Sequence, residues 1–329
     1  MSLTNVDCIY VINLKKDVDR KISIDNQLNK IFDKKQKVEF FEAIDGNTID
    51  QDYLTKNNMK ILENYYDPYS GRSITKGEIG CFLSHFYIWK NAYENGYESV
   101  IILEDDAELD NDFVSSYNKL ISDTESINWD FLYLGRKKIG EDKSDVINNW
   151  VYTGYSYWAI GYALKRNGLG LLLNSRPELN IIPTDEYIPS ILDVQPYEYM
   201  KKPWEKCKKL CGISINKEIV KPRDGTFYKS NTEKSNTFHN NNSKNIKCIC
   251  VATDETDGYL RFKRSCDIYG LELITLGMKE KWLGGDLSKT AGGGHKINLL
   301  KKYMLRDAVQ PRQAENNIIL FSDSYDVIC

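Results

Sequence analysis

The run Val100-Ile101-Ile102-Leu103 leads straight into three consecutive acids, Glu104, Asp105 and Asp106. Apolar residues in an unbroken row read as a strand buried on both faces, the kind found in parallel sheets. Open parallel sheets bind ligands in the crevice beyond the carboxyl ends of their strands. Hard oxygen ligands placed there suit Mg²⁺ or Mn²⁺ held against a diphosphate. A strand that simply ends in a charged turn is the plainer alternative, and these residues alone favour it. Other positions add to the same chemistry. Asn13 and Leu14 end an earlier apolar run, and Arg20 follows one or two turns into the next helix. Such groups can grip a base or a phosphate, although a single arginine is more often a solvated one. Gly77-Glu78-Ile79-Gly80-Cys81, with Ser84-His85 after it, carries glycines that permit close backbone approach to a ligand or merely punctuate a helix start. His85 by itself fits a satisfied core or rim histidine. In Pro183-Thr184-Asp185-Glu186-Tyr187 a carboxylate could take a proton from an acceptor hydroxyl. Thr184 or Asp185 could equally cap a helix over Tyr187–Leu192.

Those residues need a scaffold, and the pattern supplies one. Strands are expected over Cys8–Leu14, Val38–Ala43, Ser99–Leu103, Asp130–Leu134 and Tyr157–Leu164. Helices are expected over Asp17–Ile31 and Glu78–Asn95, the latter closed by Gly96, with a polar helix before Asp130 and a short one through Leu171-Leu172-Leu173. Asp45-Gly46 is a turn signal. The alternation predicts an α/β layer fold with a mostly parallel sheet. From Lys229 to Asn245 Phe238 is the lone aliphatic or aromatic residue, so the segment reads as a polar linker. The pattern then restarts, with strands over Ile246–Ala252, Leu271–Leu276 and Ile318–Phe321 and a helix over Tyr259–Cys266. The last strand again runs into spaced acids, Asp323 and Asp326.

Composition narrows the classes. The 329 residues allow about two domains, and 41% hydrophobic with 28% charged content is that of a globular protein. A net charge of −3 gives no general field for nucleic acid. No apolar stretch has transmembrane length, and no signal peptide is visible ahead of the first strand. Eight cysteines without a CxxC pair, and three histidines, point away from a zinc domain and towards free thiols in a reducing compartment.

The ordered motifs carry a resemblance. Tyr10-Val11-Ile12-Asn13-Leu14 with Asp19-Arg20, Glu42-Ala43-Ile44-Asp45-Gly46, Gly77-Glu78-Ile79-Gly80-Cys81 with Leu83-Ser84-His85, and Ile102-Leu103-Glu104-Asp105-Asp106 resemble glycosyltransferase family 25. Tyr133-Leu134-Gly135-Arg136-Lys137-Lys138, Gly154-Tyr155-Ser156-Tyr157-Trp158 and Pro183-Thr184-Asp185-Glu186-Tyr187 extend the match over roughly Asp7 to Ser235, and the first two of these stretches look more like the collagen-modifying branch than the bacterial one. The resemblance implies a GT-A type, Rossmann-like fold, a UDP-sugar donor and Mn²⁺. It places Asn13, Leu14, Arg20, Asp45 and Gly46, with Gly77, Glu78, Ser84 and His85, at the nucleotide. It gives Glu104, Asp105 and Asp106 to the metal and diphosphate, and Asp185 or Glu186 to the acceptor proton. Asn231 stands where the collagen-type enzymes carry an acid in a Ser-Asp-Thr tail element.

The second part resembles another family, the glycosyltransferase domain of multifunctional lysyl hydroxylases. Arg261-Phe262-Lys263-Arg264-Ser265, Trp282, Ala291-Gly292-Gly293-Gly294-His295-Lys296 and Phe321-Ser322-Asp323-Ser324-Tyr325-Asp326 carry that match. It implies donor or metal contacts for Trp282, Lys296, Asp323 and Asp326, in a unit that covers only the front of such a domain. The expected organisation is therefore a family 25 domain at 1–228, a linker at 229–245 and a partial second GT-A-like unit at 246–329. The expected reaction is inverting transfer of galactose from UDP-galactose to hydroxylysine of a collagen-like protein. UDP-glucose as donor, a glycan acceptor, or an inactive binding module on the same scaffold are the alternatives. The cytoplasm is the expected compartment, and the secretory-pathway lumen, where the collagen enzymes work, is the other.

Overall fold

The computed structural model describes residues 2–145, 147–223, 235–238, 245–269, 271–281, 293–307 and 317–323. The chain divides into two compact units, Met1–Phe238 and His239–Cys329. In the first, strand β1 (Cys8–Asn13) leads into helix α1 (Val18–Ile31), strand β2 (Val38–Glu42) and the short helix α2 (Gln51–Lys56). Helix α3 (Lys76–Glu94), strands β3 (Ser99–Glu104) and β4 (Ala107–Leu109) and helix α4 (Phe113–Asp123) follow. Next come β5 (Phe131–Lys138), β6 (Trp150–Tyr152), β7 (Ser156–Lys165), α5 (Arg166–Asn174), α6 (Thr184–Ile191), α7 (Glu198–Lys201), β8 (Gly212–Ile215) and β9 (Val220–Pro222).

Seven strands form one sheet in the order β2-β1-β3-β7-β5-β8-β6. β1 is parallel to β2 and β3, and β5 to β8, whereas β7 and β6 run against their neighbours. Five of the seven strands thus share a direction, a mixed α/β fold with a large, mostly parallel sheet. Alternate side chains feed two cores. Tyr10, Ile12, Val100 and Ile102 pack with α3, α5 and α6, while Ile9, Val11, Ile101 and Leu103 pack with α1 and α4. Both faces are covered by helices, which is why the Val100–Leu103 run has no polar interruption.

Helix α3 is the main support of the site. Thr75 and Glu78 form a reciprocal capping box at its start, and Gly96, at φ +76°, turns the chain just beyond its end. Helix α6 corrects an expectation: it starts at Thr184, and neither Thr184 nor Asp185 caps it. The expected linker is also corrected in part. The Thr237 backbone bridges Thr75, and the Phe238 N–H donates to the Ile74 carbonyl at 2.8 Å with the ring buried. The one apolar residue of that stretch supplies the burial its polar neighbours lack. Residues 224–234 and 239–244 lie outside the described set.

The second unit comprises β10 (Asn245–Val251), α8 (Asp257–Ile268), β11 (Glu272–Leu276), α9 (Gly293–Asp307) and β12 (Asn317–Asp323). Its parallel sheet runs β11-β10-β12 over a core of Cys248, Cys250, Tyr259, Phe262 and Cys266. The thiols act there as small buried hydrophobes. Among the described residues no helix is long and apolar enough to cross a membrane.

Candidate active site

Ile12 pairs with Glu104 across β1 and β3, so Asn13 and the three acids leave the sheet side by side. Asp105 is spoken for: Asn13 Nδ2 donates to its Oδ2 at 2.7 Å and Arg20 Nη1 to its Oδ1 at 2.9 Å. Arg20 also lies 3.7 Å from Asp106 Oδ2. Asp106 is held through its backbone, whose carbonyl accepts the Arg223 N–H at 2.9 Å. Its Oδ1 is buried and has no hydrogen-bond partner among the described residues. Such an atom is costly to leave alone, and hard-cation coordination would satisfy it. Burial, then the charge of Asp105, pushes the Glu104 carboxyl up to about 7. Burial, then Glu104, pushes Asp106 up to about 6. A divalent cation would relieve both.

Two clefts meet at these acids. The first, of about 400 Å³, is lined by Leu14, Arg20, Asp45, Gly46, Gly77, Ser84, Glu104, Asp105 and Asp106. Lys16, paired with Asp45 at 3.0 Å, and Ser235 and Asn236 from the expected linker also line it. Gly46 and Gly80 let a loop press backbone to backbone on α3. A Cβ at Gly46 would meet the Lys76 carbonyl oxygen at 1.7 Å, and one at Gly80 the Ile44 carbonyl oxygen at 2.5 Å. Ser84 ties the same loop, accepting the Ile44 N–H at 2.9 Å and donating to the Gly80 carbonyl at 2.7 Å.

Three residues expected at the nucleotide, Asn13, Glu78 and His85, do not line the first cleft. Asn13 lies behind Asp105. Glu78 is engaged by Arg72 through two bonds of 2.8 Å and borders the second cleft. His85 is fully buried behind Glu104, with Nε2 3.5 Å from Glu104 Oε1 and Nδ1 2.8 Å from the Tyr162 hydroxyl. Burial lowers it to about 4, so the imidazole is neutral.

The second cleft, about 300 Å³, shares Cys81, Glu104 and Asp106 with the first and adds Asp185 and Glu186. Asp185 accepts the N–H groups of Trp158 at 3.1 Å and Ala159 at 2.9 Å, pinning β7 where Trp158 adopts φ +72°. A bulky residue in that region is strained, and the carboxylate offsets the strain. Each Asp185 oxygen keeps accepting capacity; Glu186 has less. Its Oε1 accepts from Tyr157 at 2.5 Å, and its Oε2 from Tyr155 at 2.9 Å and Gln195 at 2.7 Å. Burial raises Asp185 to about 6 and Glu186 to about 7. From Glu186 a line of rings spreads outward: Tyr69 edge-on to Tyr157, then Tyr155, Tyr197 and Tyr199, the last stacked on exposed Tyr66 at 4.3 Å. Motif reading took in Tyr155 and Tyr157 without giving them a role and passed over Tyr66, Tyr69, Tyr197 and Tyr199, whose spacing in the chain has no period.

In the second unit Lys296 lies in the first turn of α9 and Asp323 closes β12. Trp282 and Asp326 lie outside the described residues.

By sequence the chain is similar to glycosyltransferases. Residues 6–156 match the model of glycosyltransferase family 25 (LPS biosynthesis protein), and residues 242–329 match the PLOD GT domain. Procollagen galactosyltransferase 2 of Mus musculus is 34% identical over 243 residues, 71% of this chain and 38% of that protein. A glycosyltransferase 25 family member of Aedes aegypti is 38% identical over 59% of this chain and 32% of its own. The inactive glycosyltransferase 25 family member 3 of Homo sapiens is 34% identical over 59% of this chain and 33% of its own. The chain therefore spans about a third of the length of these relatives. Among solved structures, a glycosyltransferase involved in glycosylation of the major capsid of PBCV-1 aligns at 13% identity over 63% of this chain and 91% of that one, with a TM-score of 0.28.

Proposed function

We propose that the first unit transfers galactose from UDP-galactose to hydroxylysine of a collagen-like protein, with inversion and with Mn²⁺ as the divalent ion. The observation that carries this reading is the pair of clefts meeting at one acidic wall, where Asp106 Oδ1 is buried with no hydrogen-bond partner among the described residues. The UDP moiety occupies the first cleft, where the backbone near Gly46 and Gly77 and the cations Arg20 and Lys16 border it. Glu104 and Asp106 hold the ion, and Asp105 holds Arg20. When bound, Mn²⁺ offsets charge gathering on the departing diphosphate. The acceptor enters the second cleft along the tyrosines. Asp185, with accepting capacity left and a carboxyl raised towards neutrality, takes the hydroxyl proton as the α-linked sugar becomes β-linked. Glu186 orients Tyr155 and Tyr157 rather than reacting. In the second unit the PLOD GT match supports donor or metal contacts by Trp282, Lys296, Asp323 and Asp326.

The test is sugar transfer from labelled UDP-galactose and UDP-glucose to hydroxylysine peptide with Mn²⁺ present. Galactose transfer is expected, and Asp185→Asn should lower kcat by about 10²- to 10⁴-fold, the range of a lost general base, without weakening UDP binding. Folded protein that transfers neither sugar overturns the reading. A second reading, an inactive binding module, is favoured by the relatives named as inactive; it would leave UDP binding indifferent to Mn²⁺.

A further inference from the structure

Cys81 and His85 stand four residues apart on α3, so their side chains fall on one face of the helix. Glu104 reaches the same point from the end of β3. The nearest ligand atoms of all three lie within 4.8 Å of one another, with His85 Nε2 and Glu104 Oε1 3.5 Å apart. Tetrahedral Zn²⁺, with bonds of roughly 2.0 to 2.3 Å, spaces its ligands by roughly 3.3 to 3.8 Å. A small closing movement of Cys81 would therefore complete the set.

The second observation is His85 itself. The side chain is wholly buried, and Nε2 has no hydrogen-bond partner among the described residues. Nδ1 is held at 2.8 Å by the Tyr162 hydroxyl, which also accepts from Trp89 Nε1 at 2.9 Å. With the Nδ1 proton donated to that hydroxyl, the Nε2 lone pair is left aimed at Cys81 and Glu104. An imidazole fixed through its far nitrogen is how metal-binding histidines are oriented.

We propose that Cys81 Sγ, His85 Nε2 and Glu104 form a site for a borderline-soft divalent cation, zinc, distinct from the all-oxygen ion position that includes Asp106. Sulfur and imidazole select zinc where carboxylates and diphosphate select manganese. On binding, the Cys81 S–H bond breaks, its proton goes to solvent and the thiolate bonds the metal. Cys81 and Glu104 line both clefts, so the fourth position opens to the ligand space. Glu104 belongs to both arrangements, which makes zinc an antagonist of the manganese-supported reaction. That consequence rests on the transferase reading; the binding does not.

The experiment uses the full chain stripped of metal and titrated with Co²⁺ as a spectroscopic stand-in for zinc. A thiolate-to-cobalt charge-transfer band is expected in the near ultraviolet. Cys81→Ser should abolish the band and weaken binding by at least the roughly 10- to 100-fold that loss of an outer partner costs. Asp106→Asn should keep it. A spectrum that lacks the band, or one that Cys81→Ser leaves unchanged, overturns the proposal. In the unaltered protein, mass-spectrometric alkylation gives an answer independent of how any variant folds. Zn²⁺ should slow labelling of Cys81 and leave Cys207 and Cys211 unaffected; Cys81 labelled at its original rate under saturating Zn²⁺ overturns it too. If the spectra behave as expected yet no sugar is transferred under any condition, the site stands and the transferase reading falls.

Discussion

At the scale of single residues, three adjacent acids divide their work by what already satisfies them. Asp105 spends both oxygens on Asn13 and Arg20, whereas Asp106 keeps a buried oxygen without a partner among the described residues. The sequence announced an acidic strand end but could not assign these parts, because Arg20 reaches Asp105 only through the packing of α1 on the sheet. The same holds for Asp185 and Glu186, which look equivalent in the chain and differ in hydrogen bonding. Glu186 also makes a prediction about stability. Its carboxyl rises from 4.5 to about 7 on folding, chiefly through burial. Between those values the folded protein keeps a proton that the unfolded chain releases, so this group's contribution to stability falls as pH rises through the window. Glu186→Gln removes that dependence. In urea unfolding, the stability of the parent relative to the variant should decline from pH 4.5 to 7 and then level off. A difference that stays flat with pH would contradict the assigned burial.

At the scale of elements, the first cleft depends on how closely the Ile44–Gly46 loop approaches α3. Gly80 lies inside that helix and looks from the sequence like punctuation, yet it is where the loop backbone makes contact. Gly80→Ala should destabilise the protein by about 1 to 3 kcal/mol, the usual cost of overpacking, and weaken UDP binding as the loop is displaced. Unchanged denaturant midpoint and affinity would mean that the loop tolerates the shift. The long elements were legible because their apolar spacing repeats over several turns or a whole strand. Short pieces such as α2, β4, β6 and β8 were not, since a few residues show no period and pair only through tertiary neighbours. The reversal of β7 was likewise invisible: an apolar run carries no sign of its direction.

At the scale of the whole molecule, the chain holds two α/β units, and the first extends further than its composition indicated. Ser235 Oγ accepts the Gly77 N–H at 2.7 Å, and Phe238 is buried on the same unit. A chain ended after residue 228 should thus be less stable than one ended after 238, by about 1.5 to 3 kcal/mol for the lost phenylalanine burial alone. Matching thermal and urea midpoints for the two would show the segment to be dispensable. Polar composition read as a linker because its single aromatic anchor is too sparse to form a pattern.

The central claim, that Glu104 and Asp106 hold a divalent ion against a nucleotide diphosphate, is tested most directly by calorimetric titration of UDP with and without Mn²⁺. For the parent chain, Mn²⁺ should tighten binding at least tenfold, a difference of about 1.4 kcal/mol, and Asp106→Asn should erase that gain while folding normally. Equal affinity with and without the ion, or a gain that survives in Asp106→Asn, would contradict it.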